Sequence, residues 1–128
     1  MLKAVIKIFL LALILVLLYV IGTGFVKRND VALLDYSLSE NKKEITLNVG
    51  VMSSMGYVRA FKDMGGGVKP HYLNFYSTFG GINSNFGAKD KFILKLEEFD
   101  NEIYFNRKDG GYQLVLQKDD KTGMWVRP

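Results

Sequence analysis

A long uncharged segment near the amino terminus constrains this chain more than any other feature. Residues 8–26 read IFLLALILVLLYVIGTGFV, a run without a charged side chain. At the helical rise of 1.5 Å per residue this segment is about 28 Å long, close to the hydrocarbon thickness of a bilayer. It also lacks the polar stripe that a helix on the surface of a soluble domain carries. The segment is therefore predicted to span a membrane.

The same segment must be distinguished from a removable signal peptide. Lys3 and Lys7 suit either kind of segment, and Gly22-Thr23-Gly24 offers only a weak small-residue cleavage site. Signal peptides have an apolar stretch of about 7–15 residues, which is shorter than this one. We therefore expect an uncleaved anchor, with secretion after cleavage as the alternative. Attachment through a lipidated cysteine is excluded because the chain has no cysteine.

The net charge of +4 belongs to the amino-terminal 28 residues. Lys3, Lys7, Lys27 and Arg28 stand there without an acidic residue, whereas residues 29–128 carry 13 basic and 13 acidic side chains. A neutral domain lacks the positive field that nucleic-acid binding requires, so we expect no nucleic-acid partner. The positive charges on either side of the apolar segment slightly favour a cytoplasmic amino terminus. We expect a cytoplasmic tail at 1–7, a single-pass cell-membrane anchor at 8–26 and an extracytoplasmic domain at 29–128.

That domain has the pattern of an all-β fold. Short alternating runs are separated by turn residues roughly every eight to twelve positions, which is typical of a sandwich or barrel. The number of strands and the domain size favour an immunoglobulin-like antiparallel sandwich, with a small barrel as the alternative. Lys108-Asp109-Gly110-Gly111 predicts a hairpin turn. The predicted strands are Val31–Tyr36, Glu44–Met52, Gly56–Lys62, His71–Phe79, Lys91–Glu97, Ile103–Arg107, Tyr112–Lys118 and Met124–Arg127.

Three stretches of the domain carry a family resemblance. They are EITLNVGV at 44–51 with GYVR at 56–59, YLNFYSTFGG at 72–81, and LVLQK at 114–118 with TGMW at 122–125. In these stretches the chain resembles small secreted or membrane-anchored β-domain proteins of Gram-positive bacteria. The resemblance implies a location in the bacterial envelope and no particular activity. Many such proteins carry a lipobox cysteine; since this chain has none, the apolar segment would be its anchor.

The sequence offers little support for catalysis. His71 is the one histidine of the chain, and no G-x-S-x-G or related motif supplies a nucleophile for it. We therefore predict a surface histidine at a strand edge. Gly65-Gly66-Gly67 is followed by Val68-Lys69-Pro70 rather than by the G-K-[ST] of a phosphate loop, so we predict a surface loop there.

Acidic residues cluster at Glu97–Glu102 and at Asp119-Asp120. Both clusters coincide with predicted turns, so we expect solvated loops rather than the facing carboxylates of a glycosidase. Neither has the ligand spacing of a calcium loop. We accordingly predict a non-catalytic protein with no metal site and no cofactor.

The most informative constellation is aromatic. Tyr and Arg are enriched at interfaces, because they combine a large contact area with a polar tip. Aromatic cross-strand pairs also stabilise sheets without any ligand, by roughly 0.2–1 kcal/mol each, so ordinary sheet packing is the competing interpretation. We predict one exposed face that binds an envelope protein, with a cell-wall glycan as the alternative ligand. Its members would be Tyr57, Arg59 and Phe61 on one strand, Tyr72, Asn74, Tyr76 and Thr78 on the next, and Asn83, Asn85 and Phe86 in the loop beyond.

Overall fold

A computed structural model describes residues 1–53, 55–65, 70–81 and 83–128. Its single α-helix in that part of the chain, α1, spans Leu2–Thr23 and has no buried residue. The helix is long and apolar enough to cross a membrane, and a signal sequence near an amino terminus would have the same character. Its exposed apolar surface excludes the role of a core helix in the β domain.

The rest of the described chain is built of β-strands. A short 3₁₀ turn at Lys108–Gly110, with Asp109 and Gly110 both at positive φ, separates two strands that pair with each other, Glu102–Asn106 and Tyr112–Lys118. This confirms the hairpin predicted at 108–111. The strands are β1 Lys27–Arg28, β2 Val31–Leu38, β3 Glu44–Val51, β4 Val58–Asp63, β5 His71–Ser77, β6 Lys91–Lys95, β7 Glu102–Asn106, β8 Tyr112–Lys118 and β9 Trp125–Val126.

These strands form two sheets. In the larger sheet β5 pairs with β4, β1 and β7, and the sheet continues through β8 to β9; the smaller sheet has the order β2-β3-β6. The strands described do not close into a barrel. One pair departs from the antiparallel arrangement expected from the sequence, because β5 and β7 are parallel. The chain between them passes through β6 in the other sheet, and such a crossover is what a parallel pair requires.

The core lies between the two sheets. Phe92 of the smaller sheet packs against Phe61 and Phe75 of the larger one, with ring centroids 5.4 and 5.9 Å apart. The alternation predicted for 44–52 is confirmed, because Ile45, Leu47 and Val49 are all buried. Alternate residues of β5 and of the chain at 91–96 are buried in the same core: Leu73, Phe75, Phe92, Leu94 and Leu96.

Two sequence predictions fail in this region. The strand predicted at 56–62 begins at Val58 and contains a bulge between Val58 and Ala60, which interrupts the alternation of faces. The two-residue β1 was not predicted at all. It exists because the chain leaving α1 pairs with β5, placing Lys27 opposite Tyr76 and Arg28 opposite Phe75. The loop predicted at Gly65–Gly67 falls partly outside the described residues, which exclude Gly66 and Gly67.

Candidate functional site

The outer face of the larger sheet carries tyrosines around a buried asparagine, Asn74. Along β5, His71, Leu73 and Phe75 point into the core, so Tyr72, Asn74 and Tyr76 point the other way. This agrees with the predicted alternation of that strand. Thr78, which was expected on the same face, lies beyond the strand and is buried, with its hydroxyl donating to the Ser84 carbonyl.

Two tyrosines that the sequence analysis did not select complete this face. Tyr104 of β7 lies opposite Tyr72 in register, and the two rings stack with centroids 5.1 Å apart. Tyr112 of β8, the strand beyond β7, also packs on Tyr72, with ring centroids 4.9 Å apart. Both were missed because parallel pairing of β5 with β7 cannot be read from local alternation. We call the set Tyr72, Asn74, Tyr76, Tyr104 and Tyr112 the tyrosine face.

Hydrogen bonds fix the orientation of this face. The Tyr112 hydroxyl donates to Oδ1 of the buried Asn74 over 3.0 Å. The Tyr104 hydroxyl donates to Glu102 over 2.9 Å, and this bond to a carboxylate raises the pKa of Tyr104. Since the hydroxyls of Tyr104 and Tyr112 are already bonded within the domain, the face presents rings held in one arrangement.

The other residues predicted for the site do not join the tyrosine face. Phe61 lies on the opposite side of the sheet, against Phe75 and Phe92, because the bulge before Ala60 reverses which residues point inward. The expectation that Tyr57, Arg59 and Phe61 share one exposed face is therefore wrong. Tyr57 is exposed but precedes β4.

Arg59 turns towards the end of α1. Its guanidinium donates to the Gly24 carbonyl and, over 3.3 Å, to the Ser77 carbonyl. It also lies 4.4 Å from the ring centroid of Phe79 and 5.5 Å from that of Phe25. Arg59 is thus part of a junction between helix and domain rather than a free binding residue.

The loop after β5 completes this junction. The amide of Gly80 donates to the Thr23 hydroxyl over 2.8 Å, and the Ser77 hydroxyl donates to the Thr23 carbonyl. The last carbonyls of a helix have no amide partner within the helix, and here the Ser77 hydroxyl bonds to that of Thr23 while the Gly80 amide reaches that of Val20 over 3.4 Å. Thr23 and Gly24 belong to the weak cleavage site noted above, and here they are bound by the β domain.

The remaining predicted residues lie in the same loop. Asn83 accepts a hydrogen bond from the amide of Gly56 over 3.3 Å. Phe86 packs edge to face against Phe79 and remains 68 % exposed. Asn85 is exposed. Asn83 and Phe86 therefore contact the end of the domain next to α1, at Gly56 and Phe79, rather than the tyrosine rings.

The prediction that His71 is a surface residue is wrong, because its side chain is buried and only 2 % exposed. Its Nδ1 lies 2.5 Å from an oxygen of Asp63 and its Nε2 lies 2.7 Å from an oxygen of Asp100. Asp100 is also 2 % exposed and accepts the amide of Glu97 over 2.6 Å, so it is not the solvated loop acid that we expected. The partners of His71 lie 8 and 29 residues away in sequence, which is why no local pattern revealed the cluster.

The geometry of this cluster indicates a charged, structural histidine. Burial alone would lower the pKa of His71, but the hydrogen bonds to Asp63 and Asp100, together with their negative charges, outweigh it and raise the pKa. With a carboxylate at each ring nitrogen, the imidazolium satisfies both partners and has no free nitrogen to act as a base. In the described part of the chain no group of three or more His, Cys, Asp or Glu residues is arranged to hold a metal ion.

A scan against protein-family models and searches of curated proteins and of solved structures found no match. Function must therefore be argued from the geometry of the chain itself.

Proposed function

We propose that this chain is a single-pass membrane protein whose extracytoplasmic β domain binds another envelope protein through the tyrosine face. The protein is non-catalytic in this proposal, as the sequence analysis expected. The envelope location follows the resemblance to small anchored β-domain proteins of Gram-positive bacteria. The domain itself is proposed to be a variant of the immunoglobulin-like sandwich, supported by its size and its two facing sheets.

The observation that carries the binding proposal is the fixed cluster of Tyr72, Tyr104 and Tyr112. Their rings contact one another at centroid distances of 5.1 and 4.9 Å on the side of the sheet away from the core. Tyrosine held in this way offers a large contact area with little conformational entropy to lose on binding. A protein surface is the partner that such a pre-arranged aromatic face fits best.

The amide of Asn74 argues against the glycan alternative. An amide beside a tyrosine ring would suit the hydroxyl groups of a sugar, but Asn74 is buried and its Oδ1 is occupied by Tyr112. Recognition by this face would therefore depend on ring contact more than on amide hydrogen bonds. That balance favours a protein surface over a cell-wall glycan.

Photo-cross-linking in intact cells tests the proposal. A cross-linking amino acid replaces Tyr76 or Tyr104 in the full chain, and the matched control replaces Ile93, which is exposed on the smaller sheet. We expect one discrete protein adduct from positions 76 and 104 and none from position 93. Equal labelling at all three positions would refute a binding face. An adduct removed by enzymatic digestion of cell-wall glycan would favour the carbohydrate ligand instead.

A further inference from the structure

Loops at the two ends of the β domain differ in the charge of their own residues. At the end next to α1, the loops 52–57 and 78–88 contain no Lys, Arg, Asp or Glu. At the opposite end the loops are rich in charge, with Glu40, Lys42, Lys43, Glu97, Glu98, Asp100, Asp119, Asp120 and Lys121. The Gly56 amide donates to Asn83 and so joins the two loops. Loop 52–57 also binds the Arg28 guanidinium, which is paired with Asp30 and donates to the Ser53 hydroxyl and the Met55 carbonyl. Loop 78–88 is therefore the uncharged surface at this end.

Large apolar side chains are exposed at and beside this end. Phe86 is 68 % exposed and Phe25, in the link after α1, is 65 % exposed. Arg59 connects the two, because its guanidinium lies over the Phe25 ring and over Phe79, which packs on Phe86. Contiguous exposed apolar groups of this kind mark surfaces that bind a partner or a membrane.

The attachment of loop 78–88 to α1 sets how deeply this loop lies in the bilayer. Gly81 lies beside Tyr19, since a Cβ added to Gly81 would be 2.6 Å from the Tyr19 hydroxyl. Tyr19 precedes the helix end at Thr23 by four residues, or about 6 Å along the axis. The whole helix is about 33 Å long, against a hydrocarbon core of about 30 Å. Little of the helix can then stand clear of the bilayer, so a loop that reaches Tyr19 must enter the headgroup layer.

We propose that loop 78–88 is a second membrane-contact surface, in which Phe86 inserts into the headgroup region of the bilayer that α1 spans, beside Phe25 at the end of the predicted anchor. This inference rests on the anchor part of the proposed function. Uncharged loops avoid the desolvation of charge that insertion would otherwise require, and aromatic side chains favour the membrane interface. Because contact depends on apolar insertion, it does not require anionic lipid. With two attachments, the tyrosine face is held in a fixed orientation to the membrane.

Depth-dependent fluorescence quenching tests this surface in the full chain reconstituted into phosphatidylcholine vesicles. The absence of native cysteine allows single-site labelling with an environment-sensitive fluorophore at F86C, F25C and M124C. Met124 is the matched control, because it is 62 % exposed and lies beside the Asp119–Gly123 turn, at the charged end. A fourth label at I14C, in the middle of α1, reports insertion of the helix. Fluorescence of the buried Trp125 in the unlabelled variants shows that each one is folded.

We expect lipids spin-labelled near the headgroup to quench the probes at positions 86 and 25, and aqueous iodide to quench them several-fold less than the probe at 124. A probe at 86 that behaves like the one at 124, while position 14 is quenched by deeply labelled lipid, would overturn the membrane-contact surface and leave the anchor standing. Loss of lipid quenching at position 14 would overturn both.

Discussion

Removing the imidazole of His71 is the sharpest test of what holds the β domain together. His71 bridges two carboxylates from different parts of the chain, Asp63 at the end of β4 and Asp100 in the loop before β7. The substitution His71→Ala leaves Asp100 buried with the Glu97 amide as its remaining bonded partner. The expected consequence is a large loss of stability without any change in the apolar core.

The size of the loss follows from burial. Breaking a buried ion pair by removing one partner destabilises a protein by about 3–5 kcal/mol. The Asp63 carboxylate is partly exposed and still accepts hydrogen bonds from the amides of Gly65 and Tyr72. Water and these amides therefore partly replace its lost bond to His71. We therefore expect about 3 kcal/mol, which for a domain of this size lowers Tm by roughly 12–24 °C. Asp100→Ala should be more damaging than Asp63→Ala, because Asp100 is fully buried.

The same cluster gives stability a definite pH dependence. The pKa of His71 is raised above its usual 6.5 in the folded protein, so folding favours the protonated ring. The stabilisation that protonated His71 provides is then complete below about pH 6.5 and is lost as the pH rises through the folded-state pKa of this residue. Since His71 is the one histidine in the chain, the free energy of unfolding should fall as the pH rises from about 6.5 through the raised folded-state pKa of His71, and His71→Ala should remove that fall.

Urea unfolding of the full chain in detergent micelles measures both effects, with fluorescence of the buried Trp125 as the signal. A double-mutant cycle between His71→Ala and Asp100→Ala isolates the pair from the separate effects of each substitution. Wild-type stability that is flat or rises across this pH range would refute the charged-histidine assignment. So would a loss of less than about 1 kcal/mol in His71→Ala, which is the range of an exposed pair.

Two further predictions concern the helix junction and the tyrosine face. Gly24→Ala should destabilise the junction by about 1–3 kcal/mol, because the added Cβ would overlap the Phe79 ring, whereas Gly22→Ala meets no atom within 4 Å and serves as the control. Protease cleavage between helix and domain should be faster in Gly24→Ala alone; equal rates in both variants would contradict the docking of the helix end. Tyr112→Phe should lower the free energy of unfolding by about 1–3 kcal/mol, because it leaves the buried Oδ1 of Asn74 without its donor. Tyr104→Phe removes a bond to the less buried Glu102 and should have a smaller effect by the same urea assay; the reverse order would refute the assignment.

Local patterns predicted those parts of the fold that depend on neighbouring residues. The strands at 44–51 and 91–95 could be found because one of their faces is buried and side chains alternate along a strand. The turn at 108–111 could be found because it needs residues that tolerate positive φ, and Gly110 is one of them. The uncharged run at 8–26 likewise predicted a long apolar helix from composition alone.

Long-range pairing and irregular backbone account for what was missed. A single bulge at Arg59 turned Phe61 towards the core and separated it from Tyr57, and no residue type in that strand signals a bulge. Tyr104 joins Tyr72 only through a parallel pair that crosses between sheets. His71 appeared isolated in sequence because its carboxylate partners come from β4 and from the loop before β7.

We propose that α1 is retained as an anchor on which the β domain is docked. The most direct test is the mass and amino-terminal sequence of the chain recovered from fractionated cells. We predict a membrane-fraction protein that still contains residues 1–24, because the β domain binds Thr23 and Gly24. A soluble protein that begins next to Gly24 would show that α1 is a cleaved signal segment and would contradict this account.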